Sequence, residues 1–250
     1  MITVILPCAG YGTRLGLSFP KELYEVVPGW RLVDFSLQHI IVGRYICSEV
    51  VVVIRKGKEG VADYLSKRLF AYGITVRSFF YNDSYYEWAG SVMSAEEAWG
   101  ERSLVLLPDS VVRCSEKDPL RWGKTGLLEA MDGMLREYSV GFAVCRAQGE
   151  RLSSLGALRI ENGRVMAFQD KPVDPSPYNG FWVSYGFHQR FGRELYEFLV
   201  RSIRHENGEL PAGLFPAPVV EVAGYTDLGT WPAIEHFRLQ WQEEEALWKG

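Results

Sequence analysis

The stretch Leu6-Pro7-Cys8-Ala9-Gly10-Tyr11-Gly12-Thr13-Arg14-Leu15, continued by Phe19-Pro20-Lys21-Glu22-Leu23, decides how the whole chain is read. It begins at the end of the apolar run Ile2 to Leu6, which reads as a buried strand. Glycine lets backbone N–H groups approach an anion closely, and successive N–H groups in a turn form an anion-binding concavity. Arg14 and Lys21 add the positive charge that a polyphosphate needs. The local reading is a triphosphate cradle at the end of a strand. Two other phosphate loops are excluded by their spacing. The third glycine of G-x-G-x-x-G is replaced by Leu15, and no Gly-Lys-Ser/Thr closes the loop.

Outward from this loop, composition bounds the rest. A chain of 250 residues suits one large domain with a substantial core. With 27 basic and 31 acidic residues it has no electrostatic footprint for nucleic acid. No apolar run approaches the ~18 residues of a membrane span, and the N-terminal residues lack the basic-then-apolar pattern of a signal peptide. The expected partners are therefore neither nucleic acid nor membrane. Cys8, Cys47, Cys114 and Cys145 show no C-x-x-C spacing and are expected as reduced core thiols of a cytoplasmic protein. The four histidines have no metal-site spacing, so nothing points to zinc.

The first half alternates strands (Ile2–Leu6, Val50–Ile54, Ile74–Phe80, Leu104–Leu107) with helices (Val33–Tyr45, Gly60–Leu69, Ser91–Trp99). This predicts an α/β fold with a Rossmann-like, mostly parallel sheet and helices on both faces. Ligands of such sheets gather beyond the carboxyl ends of the strands, which places Asp109 on the same rim as the triphosphate loop. The second half reads as a small β-rich part. Its strands are Val140–Val144, Ala157–Ile160, Val165–Phe168 and Gly180–Phe187, with Asn162-Gly163 as a hairpin turn, and its helices are Arg193–Ile203 and Trp231–Lys249. No internal repeat is present. The expectation is a single domain over 1–250, made of an alternating half over roughly 1–138 and a β-rich half over 139–250, to which the resemblance described next assigns nucleotide binding and sugar-phosphate binding respectively.

The functional half of that expectation comes from a resemblance. Gly10-x-Gly12-Thr13-Arg14-Leu15 with Pro20-Lys21 downstream resembles the signature of the sugar-1-phosphate nucleotidyltransferases, or nucleotide-sugar pyrophosphorylases. Further fragments are similar in the same order. These are Pro28-Gly29-Trp30-Arg31-Leu32-Val33-Asp34-Phe35, Leu104 to Asp109, Leu155-Gly156-Ala157, Asp170-Lys171-Pro172 and Tyr225-Thr226-Asp227-Leu228-Gly229-Thr230. The resemblance covers nearly the whole chain. It implies transfer of a nucleotidyl group from a nucleoside triphosphate to a sugar-1-phosphate, with release of pyrophosphate and Mg2+ as cofactor.

By the same resemblance, Asp109 and Asp227 hold the metal, although turn and helix-start positions favour aspartate for local reasons too. Arg14 takes the β- and γ-phosphates, and Lys21 stabilises charge on the reacting phosphates. Ala9, Gly10, Gly12, Thr13 and Arg14 form the nucleotide cradle, and the Gly90 N–H reaches the base. Lys171 holds the incoming sugar phosphate, Asp170 accepts from sugar hydroxyls, and Gly156 lets the sugar pass close to the backbone. Asp170 stands where the family generally has Glu, which leaves the sugar open. The base is open as well: Pro7 with Pro20-Lys21-Glu22 looks uridylyl-like, and Arg31 to Phe35 looks adenylyl-like. Two alternatives stand beside this reading. One is a cytidylyltransferase acting on a phospho-alcohol or phosphonate, favoured by Ser91-Val92-Met93-Ser94. The other is an inactive nucleotide-sugar-binding regulatory subunit, disfavoured because Arg14, Lys21, Asp109, Lys171 and Asp227 are all present. The sequence does not choose between monomer and homo-oligomer.

Overall fold

Continuous β-branched runs cannot leave either face of a strand in water, so they are driven to the middle of a layered sheet. Strands β1 (Ile2–Pro7) and β2 (Cys47–Ile54) behave in this way in a computed structural model of the chain, which describes residues 1–206 and 210–249. Ile2, Val4, Leu6, Val50 and Val52 face one core with α1 (Asp34–Val42), α2 (Glu59–Phe70) and α4 (Leu127–Leu135). Ile5, Val51 and Val53 face a second core with α3 (Glu87–Met93) and α5 (Gly192–Ile203). Helices therefore cover both faces, as the sequence implies. Helix α2 shows why it lies down: Val61, Leu65 and Leu69, four residues apart, are buried.

The other strands of four or more residues are β3 (Thr75–Phe80), β4 (Arg102–Leu106), β5 (Ser110–Arg113), β6 (Val140–Arg146), β7 (Gly156–Glu161), β8 (Arg164–Asp170), β9 (Gly180–His188), β10 (Ala217–Glu221) and β11 (Gly224–Asp227); Glu25–Val27 with Trp30–Arg31, and Arg121–Trp122 with Thr125–Gly126, form two small hairpins. Nine of the strands form one sheet in the order β6-β10-β8-β7-β9-β4-β1-β2-β3, with β6 also pairing β9. Parallel pairing runs through the β4-β1-β2-β3 end and recurs between β6 and β10, whereas β9 pairs antiparallel with β4, β6 and β7, and β8 pairs antiparallel with β7 and β10. The sheet is mixed rather than mostly parallel, which corrects the sequence reading. The cause is the turn chemistry of the second half. Asn162 and Gly163 both have positive φ, 50° and 72°, and a two-residue turn of that kind can only join antiparallel neighbours, here β7 and β8. Strand β9 then pairs antiparallel with β4, so both halves share one sheet.

The chain leaves β1 toward β2 on one side, while β4 flanks β1 on the other. Adjacent strands whose connections diverge open a crevice beyond their carboxyl ends. Two local features aim residues into it. Strand β11 pairs with β5 so that Asp227 lies opposite Ser110, and the Leu228 N–H donates to the Asp109 carbonyl at 2.9 Å. Helix α6 (Trp231–Lys249) then packs Ile234, Phe237 and Trp241 against Trp30, Leu32 and Phe35, anchoring the segment that carries Asp227 to the first half.

The predicted helix Ser91–Trp99 is displaced: α3 ends at Met93 and a single 3-10 turn, Glu96–Ala98, follows. Ser94 terminates it, because its hydroxyl donates back to the Gly90 carbonyl (2.7 Å) and accepts from the Asn82 N–H (2.9 Å). All four cysteines are free and buried. Among the described residues no helix is long and apolar enough to cross a membrane.

Candidate active site

The crevice is a cavity of about 500 Å³. Ala9, Gly10, Arg14, Lys21, Asp109, Gly156, Asp170 and Asp227 all line it, although they come from positions across most of the chain. The loop after β1 is shaped by Gly12, whose φ of 69° lies in the left-handed region and whose carbonyl accepts from the Leu15 N–H at 3.1 Å. Gly10 is exposed, and a Cβ placed there would touch nothing. An incoming phosphate can therefore reach that backbone.

The loop is held from below by two cations that sequence reasoning missed. Lys58 donates to the Cys8 carbonyl (2.8 Å) and to both oxygens of the fully buried Glu22 (2.9 and 3.0 Å). Arg55 donates from Nε to the Ala9 carbonyl (2.9 Å) and lies between the rings of Tyr11 and Tyr81 at 4.4 and 4.1 Å. Both follow β2 directly, and only the three-dimensional placement of that strand beside β1 brings them under the loop.

Lys21 Nζ forms an ion pair with Asp109 Oδ2, both side chains being largely buried. Burial alone would lower the Lys21 pKa, but the facing carboxylate of Asp109 more than reverses this and holds the ammonium above its ordinary value. Arg14 reaches Asp227 at 3.7 Å from a mostly exposed position. A second oxygen of Asp227 accepts from the Gly229 N–H at 2.7 Å, which fixes its rotamer. Asp109 and Asp227 offer hard oxygen donors, and among the described residues no set of three or more His, Cys, Asp or Glu side chains gathers into a metal site. Two carboxylates suit a hard dication that takes its other ligands from phosphate and water.

Other predicted residues are placed differently. Gly12 and Thr13 shape the loop without lining the cavity. The Gly90 N–H does not reach toward a base, because it is spent on the Tyr86 carbonyl at 2.8 Å inside α3. Gly90 instead makes room for Tyr81 and Tyr85, whose atoms lie about 3 Å from where its Cβ would stand. Lys171 has an exposed side chain outside the lining, although its N–H bonds the cavity residue Leu155 at 2.9 Å. At Gly156 a Cβ would stand 1.9 Å from Trp182 Nε1, so this glycine makes way for an indole. Trp182, Trp88 and Glu87 line the same end of the cavity as Asp170, whose carboxyl is raised above the ordinary aspartate value by burial. Trp182 had no signal in the sequence, because within a nine-residue buried strand any aromatic reads as core.

Against the solved structures, the chain is similar to apo UDP-glucose pyrophosphorylase at 17% identity and a TM-score of 0.76, over 98% of this chain and all of that one. The pyrophosphorylase fold is shared. A UDP-glucose pyrophosphorylase complexed with UDP-glucose gives 17% identity and a TM-score of 0.72, over 98% and 100% of the two chains. UTP-bound UGPase from Acinetobacter baumannii gives 16% and 0.71, over 98% and 94%. No family model matches the chain, and no curated protein sequence is significantly similar to it. The fold is thus similar over nearly the whole chain although fewer than one in five aligned residues is identical.

Proposed function

We propose that this protein is a magnesium-dependent nucleotidyltransferase that joins a sugar-1-phosphate to a nucleoside triphosphate, giving a nucleotide sugar and pyrophosphate. Residues 1–138 would bind the nucleotide and 139–250 the sugar phosphate. Four buried free thiols fit a cytoplasmic setting. The observation that carries the reading is the meeting of Arg14, Lys21, Asp109 and Asp227 at the crevice beside Gly10. The shared fold supports it.

The chemistry follows from the charges. An oxygen of the acceptor phosphate attacks the α-phosphorus, the new P–O bond forms, and the bond to the bridging oxygen breaks with its electron pair leaving on pyrophosphate. The nucleophile is already ionised, so no side chain has to remove a proton. Lys21, kept protonated by Asp109, stabilises charge building on the reacting phosphates. Arg14 holds the leaving pyrophosphate with its guanidinium fork. Asp109 and Asp227 would hold magnesium, which supplies neutralisation of the two polyanions. The backbone at Gly10 and the loop turned by Gly12 position the triphosphate for in-line attack.

Pyrophosphate release tests this directly, with each of the common nucleoside triphosphates offered against a panel of acceptor phosphates. Release that requires both substrates and Mg2+ is expected. Triphosphate binding without release under any pairing would favour a regulatory subunit.

A further inference from the structure

The two ends of the cavity carry opposite logic. Toward the β1 loop the lining offers Arg14, Lys21 and Arg55, which suit phosphates. Beyond Tyr81, whose ring faces Arg55 and whose hydroxyl donates to the Glu87 carbonyl at 3.3 Å, stand two carboxylates, Glu87 and Asp170, and an aromatic wall. Trp88 and Trp182 pack with centroids 5.0 Å apart, and Tyr185 backs Trp182 at 5.4 Å. Asp170 is only 4% exposed, yet among the described residues its carboxylate has neither an ion pair nor a hydrogen bond. Burial raises its pKa first of all; Glu87 raises it further, while Lys171 and His205 lower it without reversing the direction. His205 is engaged through Nδ1 with Gln169 at 3.4 Å, and Lys171 is exposed.

A neutral sugar would leave the buried Asp170 carboxylate uncompensated when it seals the cavity from water, and an unpaired buried charge is costly. A cation removes the repulsion between the two carboxylates, gains charge-assisted hydrogen bonds or contacts to both, and lies favourably on tryptophan faces. We infer that the acceptor phosphate carries a positively charged nitrogen, seated on the Trp88–Trp182 wall and held by Asp170 and Glu87. This rests on the nucleotidyl-transfer reading above and names the substrate class for it. An amino sugar phosphate and a phosphorylated amino alcohol both provide that nitrogen.

Calorimetry on the full chain with Mg2+ tests the inference through two matched pairs. One is glucosamine-1-phosphate against glucose-1-phosphate, and the other is phosphocholine against its uncharged carbon isostere, 3,3-dimethylbutyl phosphate. The cationic member of at least one pair should bind about tenfold more tightly or better, and the pair that shows the gap identifies the source. Asp170→Asn should remove most of that gap, as should Glu87→Gln at the exposed neighbouring position, where folding is not at stake. Equal or tighter binding of both neutral members, or no binding of any of the four, would overturn the inference. Pyrophosphate release with glucose-1-phosphate but with no charged acceptor would likewise end it while upholding nucleotidyl transfer. A cation preference in binding with no pyrophosphate release from any triphosphate would do the reverse.

Discussion

The two ends of the cavity differ in how their charges are settled. At the donor end, Lys21 is paired with Asp109, and Arg14 lies within ion-pair distance of Asp227. That end is pre-organised, its cations and carboxylates held in a geometry that phosphates and a dication can enter by exchange. At the acceptor end, the Asp170 and Glu87 carboxylates have no ion pair among the described residues and lie beside a tryptophan wall. On the proposed reading, the donor end holds what any nucleotidyl transfer needs, whereas the acceptor end holds what distinguishes one substrate from another. The comparison separates a shared chemistry from a particular specificity.

The sharpest way to break the comparison is at Asp109 and Asp227, the two carboxylates proposed to hold the metal. Asp109→Asn and Asp227→Asn should each lower turnover by at least about a hundredfold, or ~2.7 kcal/mol of transition-state stabilisation, with the thermal melt retained. Full activity in excess chelator would contradict a metal role. Lys21→Ala comes next. Turnover should drop by tens of fold while triphosphate affinity changes by less than about tenfold, because the ammonium acts on charge that develops during reaction. A variant that raises only the Michaelis constant for the triphosphate would reduce Lys21 to a binding residue.

Two variants sharpen the acceptor end. Gly156→Ala drives a methyl group into the Trp182 indole, and overpacking of this kind costs about 1–3 kcal/mol. The melting temperature should fall and acceptor binding should weaken, while triphosphate binding stays close to wild type. Unchanged acceptor binding would detach Trp182 from the site. Lys171→Ala should have the smallest effect, raising the acceptor Michaelis constant no more than about fivefold, because an exposed charge contributes at most about 1 kcal/mol. A hundredfold rise would mean that Lys171 swings into the cavity when substrate binds.

The meeting of Gly10, Arg14, Lys21, Asp109 and Asp227 at one cavity was legible in the sequence because these residues sit in short contiguous strings after strands. Strand-to-loop spacing carries such a site, and the alternation of strands and helices puts the loops on one rim. What could not be read depended on pairing. The antiparallel insertion of β9 beside β4, which turns the sheet mixed, has no local signal beyond a hairpin turn elsewhere. Arg55 and Lys58 look like surface charges until β2 is seen beside β1. Helix α4 is a different case. Leu127, Met131 and Leu135 follow the helical period plainly, and the short neighbouring pairing of Arg121–Trp122 with Thr125–Gly126 obscures where it starts. Gly90 misled because a glycine near the expected base position serves tyrosine packing instead.

The central claim is that the α-phosphorus of a triphosphate is transferred to an acceptor phosphate at Asp109, Asp227 and Lys21. Labelling that phosphorus follows it most directly. With radiolabelled α-phosphate, Mg2+ and a phospho-acceptor, the label should appear in a phosphatase-resistant nucleotide adduct, in equal amount to the pyrophosphate released and lost in Asp109→Asn. Label recovered only as the nucleoside monophosphate, or only as unchanged triphosphate, would contradict it.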